Sequence, residues 1–174
     1  MASDTFAGAD GSPGANWTQN DSTFLTHVVS HVLMGGDASG YSGSWYSGAS
    51  FAADHSSEIT IVTSINYPGP ATRMSGVDSA RSFYVAFAHG SFQYAVSGSF
   101  FFGSSFTAAS VGDQLKLVSV GGLHTPYINN VAQTPTSEGT LTTGLPGIEF
   151  YGNVGGASNW VGLDLDVLMG QIVL

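Results

Sequence analysis

The sequence has no cysteine and very little positive charge. Without cysteine, the chain forms no disulfide, carries no thiolate nucleophile and offers no cysteine-ligated zinc or iron–sulfur site. Arg73, Arg81 and Lys116 stand against 12 acidic residues, so the formal net charge is −9. Because such a chain has no basic stripe to neutralise phosphates, we exclude nucleic-acid binding.

Charge of either sign is scarce. Charged residues make up 9 % of the 174 residues, against about 25 % in an average soluble domain. The surface must therefore consist largely of Ser, Thr, Gly and Asn. Hydrophobic residues at 43 % and aromatic residues at 12 % are too frequent for a disordered chain. The length fits a single domain with a sizeable core, which we place at residues 1–174.

Long apolar segments are also missing. The runs at 28–34 and 165–169 are far shorter than the roughly 20 residues that span a bilayer. Residues 1–6 lack the basic and apolar segments of a signal peptide. We therefore expect no membrane insertion and no secretion by that route.

The composition nevertheless resembles that of extracellular β proteins. A virion component explains this combination, because it is made in the host cytoplasm and released by lysis. A mature fragment of a secreted protein would look the same, so that alternative stays open.

Along much of the chain, apolar and polar residues alternate with a period of two, which predicts an all-β fold. Clusters of Gly, Pro, Asn and Ser separate the strands, as in an antiparallel sandwich or barrel. We predict a long surface loop at 35–50 and a turn at 67–70. The predicted strands cover residues 24–33, 45–52, 58–65, 81–88, 91–96, 100–108, 114–120, 123–129, 147–151 and 160–169.

Alternation also predicts which residues are buried. Leu115 and Leu117 alternate with polar residues, and Leu163 and Leu165 alternate with Asp164 and Asp166 in the same way. We expect these four leucines on the inner faces of two sheets. Seven aromatic residues at alternating positions are predicted as core: Trp17, Phe83, Phe87, Phe92, Phe100, Phe102 and Phe106.

The order of several short motifs resembles the concanavalin A-like lectin/glucanase (laminin G-like) domains of bacterial and phage proteins. The motifs are Asp4-Thr5-Phe6, Asn16-Trp17-Thr18, Ala53-Asp54 before Glu58-Ile59-Thr60-Ile61, Pro70 and Arg73 before Phe83-Tyr84, Gly112-Asp113-Gln114-Leu115-Lys116-Leu117, Tyr127-Ile128-Asn129-Asn130 and Gly144-Leu145-Pro146-Gly147-Ile148. The resemblance implies a two-sheet antiparallel jelly-roll sandwich. It also implies that carbohydrate is met on the concave sheet or in the loops at its edge.

The resemblance to the enzymes of this group fails at the catalytic strand. Family 16 glucanases carry Glu-x-Asp-x-x-Glu, whereas Glu58, Glu138 and Glu149 have no carboxylate two residues further on. Asp164 and Asp166 have the spacing of two carboxylates on one strand face, but an exposed strand face or a cation site explains that pair better. We therefore expect no enzymatic activity.

Aromatic side chains in loops are the candidate carbohydrate-binding residues, because flat rings pack against the C–H faces of sugars. A ring in a Gly-rich loop also serves as a packing plug, and both interpretations stay open. The candidates are Tyr41, Trp45, Tyr46, Tyr67 and Trp160.

No cofactor is expected. The resemblance implies one possible ion, a structural calcium between the N-terminal segment and the last strand. Its ligands would be Asp4, Asp164 and Asp166. His27 and His31 would lie roughly 13 Å apart on a strand and could not share a zinc ion. Arg73 is interpreted as a structural partner of a carboxylate or carbonyl group.

Two functions remain. The first is a non-enzymatic virion surface protein, such as a phage decoration, fibre or tail component, with structural, adhesive or glycan-binding roles. The second is a carbohydrate-binding module or degenerate glucanase domain of a bacterial enzyme. The apolar segment 170–174 is predicted to be a paired strand or a contact with a neighbouring subunit, which agrees with virion proteins or self-association as partners.

Overall fold

The computed structural model describes residues 1–36, 40–63 and 67–165, and shows two antiparallel sheets packed face to face. The predicted all-β jelly roll is confirmed. A single 3₁₀ turn at Asp78–Ala80 is the only helical element in the described part, and no helix there could span a membrane. The strands are β1 (Ala2–Asp4), β2 (Trp17–Gln19), β3 (His27–Val29), β4 (Val32–Met34), β5 (Tyr41–Tyr46), β6 (His55–Thr63), β7 (Pro68–Ser75), β8 (Ser82–Phe87), β9 (Ser91–Val96), β10 (Ser99–Ser105), β11 (Gln114–Val120), β12 (Leu123–Ile128), β13 (Val131–Ala132), β14 (Thr136–Ser137), β15 (Leu145–Tyr151) and β16 (Gly156–Asp164).

The first sheet has the order β13-β12-β11-β6-β16-β4-β3, with β1 beside β16 and β14 beside β12. The second sheet has the order β10-β9-β8-β7-β15-β5-β2. Neighbouring strands in both sheets are antiparallel, and many are distant in sequence. The sandwich therefore depends on long-range pairing.

The core between the sheets follows from the alternation of the central strands. Leu115 and Ile59 of the first sheet are fully buried and belong to one cluster with Ile148 and Phe150 of the second. Leu117 is also fully buried, as predicted. The strands predicted at 91–96 and 114–120 agree with β9 and β11.

The strand predicted at 24–33 is instead a hairpin of β3 and β4. Ser30 and His31 form its turn with φ angles of 49° and 66°. Both central residues of a type I′ turn need positive φ, and this turn matches the twist of the two strands. The β-branched residues on either side concealed the reversal.

The turn predicted at 67–70 is also wrong, because Pro68 and Pro70 belong to β7 in the middle of the second sheet. The carbonyl of Pro68 accepts a hydrogen bond from the Ala88 N–H. Proline has no backbone N–H, and the nitrogens of two prolines two residues apart point to the same neighbouring strand, here β8. The residues between them keep their N–H groups, so β7 remains paired with β15.

The surface loop predicted at 35–50 contains β5, which pairs with β15 and β2. Its glycine content reflects close packing. A Cβ atom on Gly43 would lie 2.3 Å from Glu149 Oε2.

Leu163 and Leu165 are only half-buried, so the prediction for these two residues is wrong. A bulge in β16 places two residues opposite one in β6, and Asn159 within it has a φ angle of 50°. After this extra residue, the side chains of β16 that would have pointed inward point outward, and the reverse. Trp160 and Gly162 therefore face the core. Asp166 and the segment 170–174 lie outside the described residues.

Candidate functional site

The face of the second sheet that points away from the first is strongly concave. The rings of Tyr41 on β5 and Phe100 on β10 stack with centroids 4.2 Å apart and an interplanar angle of 18°. These strands are five positions apart in the sheet order, which in a flat sheet corresponds to about 24 Å. The sheet must therefore curl until its two sides meet. We call this surface the concave face.

Side chains fill most of the concave face. Phe83, Val85 and Phe87 are completely buried, although no sheet covers them on this side. Tyr41 and Phe100 lie over them, with Tyr41 in ring contact with both phenylalanines of β8. No open groove crosses this part of the sheet.

One end of the concave face remains open as a cavity of about 310 Å³. It is lined by six side chains, and we call it the aromatic cleft: Tyr41, Tyr67, His89, Gln93, Phe102 and Tyr151.

Strand register brings these residues together. Tyr151 at the end of β15 is paired with Tyr41 at the start of β5, and its N–H donates to the carbonyl of Tyr67. Gln93 and Phe102 are directly opposite each other on β9 and β10. Residues distant in sequence thus meet where neighbouring strands begin and end.

The rings of the cleft present flat surfaces. Tyr67 and Tyr151 are almost parallel, with an interplanar angle of 7° and centroids 6.3 Å apart. His89 lies against Tyr67 at 3.9 Å between centroids. Phe102 is 76 % exposed, so its predicted place in the core is wrong. Phe102 lies on the concave face of an edge strand, where no further strand of the described residues covers it.

A chain of hydrogen bonds connects the polar groups of the cleft. The Tyr41 hydroxyl donates to Gln93 Oε1 at 2.7 Å, and Gln93 Nε2 donates to Ser91 Oγ at 2.9 Å. Ser91 Oγ lies 2.9 Å from His89 Nε2. Burial raises the pKa of Tyr41, with a further contribution from Tyr151, and burial lowers the pKa of His89. At neutral pH the described side chains that line the cleft are therefore aromatic or polar and uncharged.

Only two of the five predicted aromatic residues meet in the cleft, namely Tyr41 and Tyr67. Trp45 packs on the same face, four residues further along β5. Tyr46 and Trp160 stack at 4.9 Å between the sheets, and Trp160 is completely buried. The expected loop location is wrong for Trp160 and for the three residues on β5, because all four lie on strands.

Sequence reasoning missed His89, Gln93, Phe102 and Tyr151. A local signal exists for His89 and Tyr151, because each follows a strand pattern and precedes a glycine. Gln93 and Phe102 carry no such signal, since they resemble ordinary strand residues until the pairing of β9 and β10 is known.

Asp4 and Asp164, the two predicted calcium ligands among the described residues, are not brought together. Asp4 accepts hydrogen bonds from the Phe6 N–H at 2.7 Å and from Trp17 Nε1 at 2.8 Å. It lies opposite Trp160, so Asp164 is four residues, or about 13 Å, further along the strand. Asp164 accepts a bond from the Ala52 N–H. The described residues contain no group of three or more His, Asp or Glu side chains placed to hold a metal ion.

All three basic side chains are held in ion pairs. Arg73 lies 3.4 Å from Asp54, Arg81 lies 3.2 Å from Asp21, and Lys116 lies 2.9 Å from Glu58. None of the three lines the aromatic cleft.

The structural role predicted for Arg73 agrees with its contacts. Its side chain is 2 % exposed, and its Nη1 donates to the Leu141 carbonyl at 2.6 Å.

A larger cavity of about 550 Å³ follows the N-terminal segment. Its wall consists mainly of small, exposed residues between Gly8 and Asn16, and Asp4 at its edge is already engaged by Trp17. This cavity offers no exposed ring and no organised set of polar groups. The aromatic cleft is the better candidate site.

No protein-family model and no curated protein sequence matches the chain. Solved structures do. The carbohydrate-binding module CBM66 from Bacillus subtilis superposes with a TM-score of 0.61 at 14 % identity, covering 86 % of this chain and 92 % of the module. A sialidase superposes with a TM-score of 0.57 at 11 % identity, over 95 % of this chain but only 18 % of the sialidase chain. A β-1,3-1,4-glucanase (lichenase) from a mouse hindgut metagenome superposes at 0.55 with 8 % identity, covering 94 % of this chain and 98 % of the enzyme. Together with the two-sheet topology, these likenesses show that the chain has a concanavalin A-like jelly-roll fold.

Proposed function

We propose that the chain is a non-enzymatic, glycan-binding jelly-roll domain whose aromatic cleft holds a short glycan or the end of a longer one. The observation that carries this proposal is the cleft itself, where exposed rings adjoin a connected set of hydrogen-bonding groups. Rings pack against the C–H faces of a sugar, while polar groups hold its hydroxyls. The likeness to a carbohydrate-binding module supports the proposal.

The absence of turnover is part of the proposal. A glycosidase needs two carboxyl groups across the scissile bond, and none of the described residues lining the cleft carries one. Glu149 points to the concave face but is completely buried and hydrogen-bonded to Asn20. Since Tyr41 and Phe100 close the middle of this face, a polysaccharide could not lie across it.

Binding to a glycan array, followed by calorimetry with the best ligand, tests the proposal. We expect Phe102→Ala and Tyr67→Ala to weaken binding at least about fivefold, because stacking on an aromatic ring contributes on the order of 1 to 3 kcal/mol. Phe101→Ala is the matched control, since Phe101 is exposed on the same strand but stacks on Tyr94 of the other face. Equal loss in all three variants, or no glycan bound by the wild type, would contradict the proposal.

We further propose a virion surface as the setting of this domain, with virion proteins or further copies of the chain as partners. The observation that favours it is that both sheets end in strands with exposed apolar residues. Phe101 on β10 is 43 % exposed and Val131 on β13 is 63 % exposed, and the surface carries few charges to oppose packing. The alternative setting is a secreted bacterial enzyme of which the chain is a binding module or degenerate glucanase domain.

An antibody against the purified protein distinguishes the two settings. Labelling of particles purified from lysed cultures of the source supports the virion setting. Recovery of the antigen only in the particle-free supernatant, attached to a larger enzyme, supports the alternative.

A further inference from the structure

The positive charges of the protein are unavailable to a ligand in the aromatic cleft. Each of the three basic side chains is paired with a carboxylate, and none lines the cleft. An anionic sugar would therefore lose hydration without gaining a counter-charge, and it would approach a protein of net charge −9. The cleft is suited to an uncharged ligand.

The hydrogen-bond chain in the cleft has a direction. The Tyr41 hydroxyl donates to Gln93, which donates to Ser91. Ser91 Oγ lies within hydrogen-bond distance of His89 Nε2, and a neutral imidazole with its proton on Nδ1 can accept the Ser91 hydroxyl proton there. The groups left for a ligand are the Tyr41 hydroxyl oxygen, the second N–H of the Gln93 amide and the Nδ1–H of His89.

From these observations we infer that the cleft selects uncharged saccharides and binds them only while His89 is neutral. The inference rests on the proposed function and names the ligand class and the pH regulation of the same site. A hydroxyl group of the sugar both donates and accepts, so it matches the mixed set of donors and acceptors that the chain of hydrogen bonds leaves open.

Protonation of His89 opposes binding for two reasons. The Nε2–H of an imidazolium would donate to Ser91 Oγ, so the Ser91 hydroxyl would lose its acceptor. An uncharged ligand covering the ring would also remove water from the imidazolium without supplying a negative charge.

The surroundings of His89 do not counteract this effect. Apart from His89 itself, the titratable groups that the described residues place in the cleft are the phenols of Tyr41, Tyr67 and Tyr151, and a phenol carries no charge at acid pH. Ser91 and Phe87, the other residues in contact with the ring, do not titrate in this range. Because burial lowers the pKa of His89 below 6.5, the loss of binding begins below the neutral range.

The test is an array that carries the same oligosaccharide cores with and without sialic acid, uronic acid or sulfate, probed at pH 7.5 and pH 5. Calorimetry with the best uncharged core then measures affinity. We expect binding to the uncharged cores at pH 7.5 and weaker binding at pH 5, since a required neutral imidazole costs up to about tenfold in affinity for each pH unit below its pKa. The buried His124, whose pKa burial lowers to about 4, stays largely neutral under these conditions.

His89→Gln supplies the decisive variant, because an amide keeps hydrogen-bonding groups but does not titrate. We expect it to bind more weakly than the wild type at pH 7.5, because His89 lines the cleft, but to have a flat pH profile. His31→Gln, in the hairpin turn between β3 and β4, should keep the wild-type profile. Equal binding of the acidic cores, or the same pH profile for His89→Gln and the wild type, overturns the inference alone. No binding to any core at either pH overturns the proposed function.

Discussion

Glu149 is a carboxyl group sealed inside the concave face. It is paired with Gly43 on one side and Gly69 on the other, and Gly43 leaves room for its side chain. Asn20 donates to its Oε2 at 2.5 Å, whereas its Oε1 has no hydrogen-bond partner among the described residues. Burial raises the pKa of Glu149 to about 8. At neutral pH it is therefore a neutral acid.

This residue predicts a pH dependence of stability. The pKa of Glu149 is higher in the folded protein than in the unfolded chain, so its stabilising contribution is complete below about pH 4 and is lost as pH rises towards 8. In that interval the loss is at most about 1.4 kcal/mol per pH unit. Glu149→Gln cannot ionise, so we expect its stability relative to the wild type to increase steadily from pH 5 to pH 8.

Thermal or urea unfolding at pH 5, 6.5 and 8 measures this difference. Glu58→Gln is the control, because Glu58 pairs with Lys116 on a partly exposed surface and should show no such trend. A constant difference between Glu149→Gln and the wild type at all three pH values would show that Glu149 is ionised in the folded protein.

At the scale of elements, prediction succeeded where a strand has one inner and one outer face throughout. The leucines of β11 alternate without interruption, and its boundaries follow directly from the pattern. In β7, the sequence Pro68-Gly69-Pro70 is typical of a turn, but the N–H groups that the prolines lack would face only one neighbouring strand. In β16, the bulge at Asn159 inverts the alternation, and nothing in the local sequence indicates which residue is extra.

The hairpin between β3 and β4 predicts an effect of backbone strain. His31 has a φ angle of 66°, and a side chain in this conformation costs roughly 1 kcal/mol relative to glycine. We therefore expect His31→Gly to be about 1 kcal/mol more stable than His31→Ala. Both variants remove the imidazole, so the comparison in urea unfolding isolates the backbone. Equal stability of the two variants would contradict a strained turn.

At the scale of the whole molecule, the aromatic cleft exists because a sheet curls. Tyr41 and Tyr67 were found from the sequence as aromatic residues near glycines, but their meeting with Phe102 depends on the order of six neighbouring strands and on sheet curvature. Neither property is encoded locally. The same limit applies to Trp160, whose ring faces inward because of the bulge before it. The fold class could therefore be predicted more completely than the site.

The two sheets are also joined by polar contacts within the apolar core. Ser57 Oγ on β6 donates to the Gly147 carbonyl of the second sheet at 2.6 Å and accepts from Trp160 Nε1 at 2.9 Å. Its side chain is completely buried. One hydroxyl thus satisfies a donor of the first sheet and an acceptor of the second.

Removing this hydroxyl should weaken the attachment of the sheets. Ser57→Ala leaves the buried Trp160 N–H without its partner, which costs about 1 to 3 kcal/mol, and also removes a hydrogen bond to the Gly147 carbonyl, which contributes about 1 kcal/mol. We expect the free energy of unfolding to fall by about 2 to 4 kcal/mol in urea. Ser56→Ala makes the same chemical change on the outer face of β6, where the hydroxyl has no hydrogen bond to another described residue, so it should cost less than about 1 kcal/mol. If the free energy of unfolding fell equally in both variants, the two hydrogen bonds of the Ser57 hydroxyl would make no net contribution to stability. The sheets would then be held together by apolar packing alone.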